Sequence, residues 1–212
     1  MRADDPQLGL ALTPAEVTPL VLAAGASSRM GCPKAALRYG EESALERILR
    51  VCAGAGLGEA RVVVGAHPEA TRAAAEGRAA RFLDNPDWEQ GRTSSLQRGL
   101  RDLSGGGALL WPVDACLATP ATLAALLESC EGSSGALAWV PSHAGRRGHP
   151  VLLAEAVFAR FLALGPDQPA REVIRALASE GALCHVEVED PAVLMNANTP
   201  AELARWGGRL PE

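Results

Sequence analysis

Short apolar runs recur along this 212-residue chain and alternate with stretches of helical periodicity. The runs fall at 19–23, 61–65, 80–84, 108–112, 136–140, 150–153 and 184–188 and are expected to be strands. Between them, Leu45, Ile48, Leu49 and Cys52 mark one helical face, and Leu123, Leu126, Leu127 and Cys130 mark another. Segment 169–180 repeats the pattern with Val173, Ile174 and Leu177, and the alanine-rich stretch 70–80 reads as surface helix. Strands separated by helices need crossover connections, so the expected fold class is α/β: three layers, with helices on both faces of a mostly parallel, mixed sheet. A chain of this length fits one such domain and buries roughly 70 % of its unfolded surface. We assign 18–212 to that domain. Residues 1–17 carry acids rather than a basic n-region and lack a long apolar core, so they read as a flexible leader and no signal peptide.

Composition narrows the partners. The net charge of −5 argues against a broad nucleic-acid footprint, while leaving room for a local basic pocket. No run reaches the ~18 apolar residues needed to span a membrane. The five cysteines, Cys32, Cys52, Cys116, Cys130 and Cys184, are odd in number and form no C-x-x-C pair. Reduced thiols in a cytoplasmic protein are the simplest account, with Cys32 and Cys116 as small packing residues rather than redox groups.

Residues 21–34, VLAAGASSRMGCPK, carry the most chemistry. An apolar strand ends in Ala23-Ala24-Gly25, and small residues follow, then Arg29, Gly31 and Lys34. Small residues let backbone N–H groups approach a ligand closely, and such a loop can open onto a helix N-terminus, where anions bind. Arg29 and Lys34 add positive charge where phosphates would lie. The expected ligand is a polyphosphate. A Walker loop is excluded, because five residues separate Gly25 from Gly31 and Lys34 stands apart from Gly31. A dinucleotide fingerprint is excluded because Gly25-Ala26-Ser27 lacks its second glycine.

Other segments fall on the same edge of the expected sheet. Gly25 follows the first strand, Asn85 the third and Asp114 the fourth, and ligands of open α/β sheets bind outside the carboxyl ends of strands. After Asn85-Pro86, Gly91 allows a turn, and Thr93, Ser94 or Ser95 can cap the next helix. Asp114 either caps a helix or holds a hard cation; Mg²⁺ takes one or two carboxylates with phosphate oxygens and water. In GRRGHPVLL, 145–153, Arg146 and Arg147 read equally as a solvated hairpin or as site residues. Thr199-Pro200 is a helix start, with threonine as cap and proline at the first helical position.

Taken together, L-A-A-G-x-S-x-R-M-G-x-x-K over 22–34 resembles the signature loop of the MobA-like nucleotidyltransferases, which attach NMP to the molybdenum cofactor. Segment 85–99 is similar to that family's N-x-x-W-x-x-G-x-x-x-S element, Gly148-His149-Pro150 to its acceptor-side tripeptide, and 193–206 to its closing motif. The resemblance covers roughly 19–206 and implies a Rossmann-like nucleotidyltransferase fold. It implies nucleotide binding by Leu22, Ala23, Ala24, Gly25, Arg29, Lys34, Asn85, Ser94 and Ser95. Catalytic roles fall to Arg29, Lys34 and Asp114, acceptor binding to Gly148 and His149, and Mg²⁺ to Asp114 and Asn198. Two departures stand out. The family's Asp-x-Pro reads Asp114-Ala115-Cys116, and the acids of its closing D-I-D-T-P are Asn196 and Asn198 here. Ala24 is similar to the cytidylyl-transferring branch, so CTP is expected over GTP, with a molybdopterin-type acceptor and a molybdoenzyme as further partner. The alternatives are transfer to a sugar phosphate or another phosphorylated acceptor, and a non-catalytic nucleotide- or cofactor-binding maturation protein.

Overall fold

Alternate residues of the central strand serve opposite sides of the molecule, and this divides the core in two. In strand β1 (Val17–Ala23), Val21 and Ala23 pack with helices α1 (Ala44–Gly54) and α4 (Pro120–Gly132). Leu20 and Leu22 point the other way, into a cluster with α3 (Arg92–Leu100), α5 (Phe158–Leu162) and α6 (Arg171–Ser179). A two-residue side-chain period makes this partition unavoidable once both faces are covered. The three expected layers follow. The computed structural model describes residues 12–133, 135–165 and 168–211.

The remaining strands are the hairpin β2 (Arg38–Tyr39) and β3 (Glu42–Ser43), then β4 (Arg61–Val64), β5 (Arg81–Asp84), β6 (Gly107–Pro112), β7 (Ala138–His143), β8 (Arg146–Arg147), β9 (Val151–Ala154) and β10 (Leu183–Glu187). Two short helices complete the fold, α2 (Pro68–Ala73) and α7 (Pro200–Arg205). The main sheet runs β10-β7-β9-β6-β1-β4-β5, with β8 on β7. β1 is parallel to both β4 and β6, β4 to β5 and β7 to β10, whereas β9 is antiparallel to its neighbours β6 and β7. The sheet is mostly parallel and mixed, as expected. From β1 the chain crosses to β4 on one side, while β6 lies on the other, so a crevice opens beyond the carboxyl ends of β1 and β6.

Some expectations need correcting. Residues 1–11 of the leader lie outside the described residues, but 12–17 belong to the fold: Leu12 and Val17 are buried, and Glu16 accepts the Thr13 N–H at 2.9 Å. Of the alanine-rich stretch 70–80, only its start is helix, because α2 ends at Ala73 and Glu76 and Gly77 take positive φ. Nor does the loop after β1 open onto an α-helix. A short 3-10 turn at Lys34–Ala36 and the β2–β3 hairpin intervene before α1, which Ser43 caps by accepting the Glu46 N–H at 2.9 Å. A helix dipole is therefore absent behind this loop, and the loop's own amides and cations must hold any anion. Among the described residues no helix is long and apolar enough to cross a membrane.

Candidate nucleotide site

The loop after β1 is shaped by two positive-φ residues, Ser27 (54°) and Gly31 (80°). Ser27 closes a turn: its carbonyl accepts from Met30 N (2.8 Å) and Gly31 N (3.2 Å), and its hydroxyl accepts from Lys34 N (3.3 Å). Met30 is buried and anchors the turn in the core. The loop is also tied to the end of β4, where Ala66 N donates to Ala24 O (3.0 Å). Gly65 permits that approach, since a Cβ there would lie 2.6 Å from both Ala24 O and Trp88 Cβ. These ties leave the N–H groups of residues 25–29 without a hydrogen-bond partner among the described residues. The same residues line a cavity of about 320 Å³. Consecutive free amides around a concavity are an anion nest.

Lys34 and Asp114 meet on the wall of that cavity. Asp114 stands on a 3-10 turn directly after β6 and is 9 % exposed. Lys34 Nζ donates to Asp114 Oδ2 at 3.0 Å and to Asn198 Oδ1 at 2.8 Å. Asn198 reaches this point because Ala197 N donates to Asp114 O (2.9 Å), which splices the C-terminal segment onto the end of β6. Thr199 caps α7 as expected, accepting from Glu202 N (3.2 Å), and Glu202 accepts from Asn198 N (2.9 Å). Those bonds, Asn198 N–H first, hold the Glu202 carboxyl below its ordinary range. Two side-chain oxygens thus converge on one cationic group. One carboxylate and one amide oxygen are hard donors of the kind a Mg²⁺-nucleotide uses, so the residues fit such an ion. Among the described residues no three His, Cys, Asp or Glu side chains gather to hold a metal without help.

Asn85 is buried and works behind the wall: its amide donates to Ser94 Oγ (3.0 Å) and Ser95 Oγ (3.1 Å), and its oxygen accepts from Asp87 N (3.1 Å). Ser95 lines the cavity; Asn85 and Ser94 do not. The expected hydroxyl cap is corrected here. Gly91, at φ 100°, is the N-cap of α3, and Thr93, Ser94 and Ser95 already lie inside the helix. Arg92 was not singled out by sequence reasoning, yet its guanidinium lies 3.9 Å from Asp114 Oδ2. Its signal was weak, an arginine among turn residues.

A second cavity of about 640 Å³ adjoins the first, sharing Leu22, Gly91, Arg92 and Pro112. Gly148 and His149 line it, as does Arg147 of the exposed strand β8. Gly148 is obligatory, because a Cβ would lie 2.4 Å from Val193 O. His149 N donates to that same carbonyl at 2.9 Å. The His149 Nδ1 is covered and has no hydrogen-bond partner among the described residues. Burial, followed by the nearby Arg92 cation, pushes the His149 pKa down to about 4, so the ring is neutral near pH 7. The unfolded chain, with an ordinary imidazole near 6.5, takes up the proton first. His149 therefore contributes stability that is intact above about pH 6.5 and lost as pH falls toward 4. Thermal denaturation over that window should show the loss, and His149→Gln should flatten it.

The cysteines behave as packing groups. Burial pushes the Cys52 and Cys116 thiols up to about 12, and it raises Cys32 as well. All five are free.

Comparison with known proteins bears on the fold and the family. A protein of Mycobacterium tuberculosis H37Rv (Rv0371c) is 25 % identical, over 91 % of this chain and 98 % of its own, with a TM-score of 0.76, and it is also known as a complex with manganese. The 2-C-methyl-D-erythritol 4-phosphate cytidylyltransferase of Thermus thermophilus shares the fold at 23 % identity, over 91 % and 97 % of the two chains, with a TM-score of 0.65. So does molybdopterin-guanine dinucleotide biosynthesis protein A of Archaeoglobus fulgidus, at 19 % identity over 89 % and 95 %, with a TM-score of 0.61. No curated protein matches the chain in sequence. The family model of the MobA-like NTP transferase domain matches residues 19–182, which hold the β1 loop, Asp114 and both cavities' shared wall. With an amide-lined loop and an acid at the switch point of this three-layer fold, the chain belongs to the MobA-like NTP transferase family, whose members are nucleotidyltransferases.

Proposed function

We propose that this nucleotidyltransferase moves CMP from CTP onto the phosphate of a molybdopterin-type acceptor and releases pyrophosphate. The observation that carries the reading is the run of unpaired amides at 25–29 facing a cavity on whose wall Lys34 is held by Asp114 and Asn198. An acceptor phosphate oxygen bonds to the α-phosphorus as the bond to the bridging oxygen breaks, and the electron pair leaves with pyrophosphate. Charge builds on phosphate oxygens, so positioning and electrostatic stabilisation supply most of the rate. Backbone amides of 25–29 cradle the triphosphate, and Arg29 and Lys34 neutralise developing charge. Asn85 holds Ser94 and Ser95 in register beside it. The acceptor phosphate is already ionised, so no general base is needed, which suits a His149 ring that is neutral and can donate a hydrogen bond without moving a proton.

Asp114 and Asn198 would hold Mg²⁺ together with phosphate oxygens. When bound, that ion supplies further charge neutralisation on the triphosphate; the manganese complex of the mycobacterial relative supports a divalent cation in this fold. With one carboxylate where the family motif offers more, free-enzyme affinity for the ion is low and the triphosphate completes the site. Asn198→Asp should therefore strengthen Mn²⁺ binding to the nucleotide-free protein at least about tenfold. A charge at ~4 Å contributes on the order of 4 kcal/mol at an effective dielectric of ~20, before desolvation. Electron paramagnetic resonance of free Mn²⁺ reads this directly.

The choice of CTP rests on Ala24 within Leu22-Ala23-Ala24-Gly25 and on the likeness to a cytidylyltransferase. The decisive experiment is incubation with Mg²⁺, CTP or GTP, and molybdopterin, following pyrophosphate. Release with a sugar or polyol phosphate instead would reassign the acceptor. Tight nucleotide binding without release from any acceptor would make the chain a binding protein for molybdoenzyme maturation.

A further inference from the structure

The second cavity has a charge pattern that the reaction itself does not explain. Its floor is apolar, with Leu96, Val140 and Phe161, yet Arg92, Arg147, Arg171 and Arg175 border it and no described Asp or Glu does. Arg92 also borders the first cavity, so it marks the reacting end. Arg171 and Arg175 border the second cavity alone, four residues apart on α6, with Ile174 lining it between them. Like charges at this spacing destabilise a helix slightly. Neither arginine has an ion-pair partner among the described residues that would offset the repulsion. Both arginines are exposed at the edge of the cavity, where their guanidinium groups can take an anion.

Resting on the reading that this cavity takes the acceptor, we propose that Arg171 and Arg175 are specificity-determining residues that clamp a second anionic group of the acceptor, remote from the phosphate that attacks. The acceptor class is then a ring compound with two separated anionic groups: the apolar floor takes the ring, Arg92 faces the reacting phosphate and α6 faces the distal anion. About 640 Å³ holds such a molecule, whereas a small sugar phosphate would leave the α6 end unfilled. Guanidinium forks suit oxyanions that present two oxygens.

The test needs no turnover. Naphthalene-1,5-disulfonate and naphthalene-1-sulfonate differ by one anionic group and are titrated by fluorescence into the full chain and into R171Q/R175Q. The disulfonate should bind the wild type at least about tenfold tighter, as expected for charge-assisted hydrogen bonds, and the gap should vanish in the variant. CTP affinity, carried by the other cavity, should be the same in both proteins and reports intact folding; R171K/R175K should restore part of the gap. A gap that persists in R171Q/R175Q, or is missing in the wild type, overturns the clamp. If the gap behaves as expected but molybdopterin yields no pyrophosphate, the clamp stands and the acceptor identity falls.

Discussion

Lys34→Ala is expected to slow pyrophosphate release by roughly 10²–10³, the usual effect of removing one preorganised charge-stabilising contact. The variant also disturbs the resting site, and the two effects can be separated. Lys34 Nζ is shared between Asp114 Oδ2 and Asn198 Oδ1 at 3.0 and 2.8 Å, and both side chains of the ion pair are largely covered, at 16 % and 10 % exposure. Truncation leaves the Asp114 carboxylate with Arg92 at 3.9 Å, too far for a good hydrogen bond. An orphaned, partly buried polar group costs about 1–3 kcal/mol. Adding Asp114→Asn to Lys34→Ala removes the uncompensated charge, so thermal stability should recover toward wild type. Turnover should not recover, because neither group is then present. Lys34→Arg keeps the charge, but a planar fork cannot sit between two oxygens as a compact ammonium does. It should restore stability better than rate. Unchanged pyrophosphate release in Lys34→Ala would remove Lys34 from the catalytic set.

How much of this was legible in the sequence depends on the range of the interaction concerned. Strand positions were readable because apolar runs such as 61–65 and 108–112 are local and end in turn residues; β4 and β6 lie at 61–64 and 107–112. The convergence of Gly25 and Asp114 was readable too, since parallel strands send their carboxyl ends to one edge. Other features depend on contacts far apart in sequence. Asn198 meets Lys34 across 164 positions through the Ala197–Asp114 backbone bond, and no local pattern encodes that pairing. Arg92, Arg171 and Arg175 gain meaning only when α3 and α6 pack on the same face of the sheet. The failed cap shows the opposite limit. Ser94 and Ser95 have the right chemistry, but Gly91, at positive φ, starts the helix sooner and leaves both hydroxyls to accept from Asn85. In a similar way, α2 stops early although alanine favours helix, because the chain must turn at Glu76 and Gly77 to enter β5.

Stability and site geometry meet at Trp111, and its removal should produce the largest stability loss from a single change. Trp111 is fully buried in β6, paired in register with Val21 of β1, three residues before Asp114. Its indole Nε1 donates to Ala115 O at 2.8 Å, so the ring both fills the core and fastens the 3-10 turn that presents Asp114. Trp111→Ala loses transfer energy and leaves a cavity, together about 3–5 kcal/mol. The unpaired Ala115 carbonyl adds roughly 1–3 kcal/mol unless water reaches it. For a domain of this size each kcal/mol lowers Tm by about 2–4 °C, so a drop of roughly 10 °C or more is expected by calorimetry. Trp111→Phe separates the two contributions: it keeps most of the ring volume but not the donor. Its stability loss should be the smaller, yet the Asp114 turn should still loosen and weaken nucleotide binding measured at a temperature where the variant is folded. If Trp111→Phe instead binds CTP like the wild type, the indole bond is a packing contact alone, and the Asp114 turn is held by the Ala197 bond from the other side.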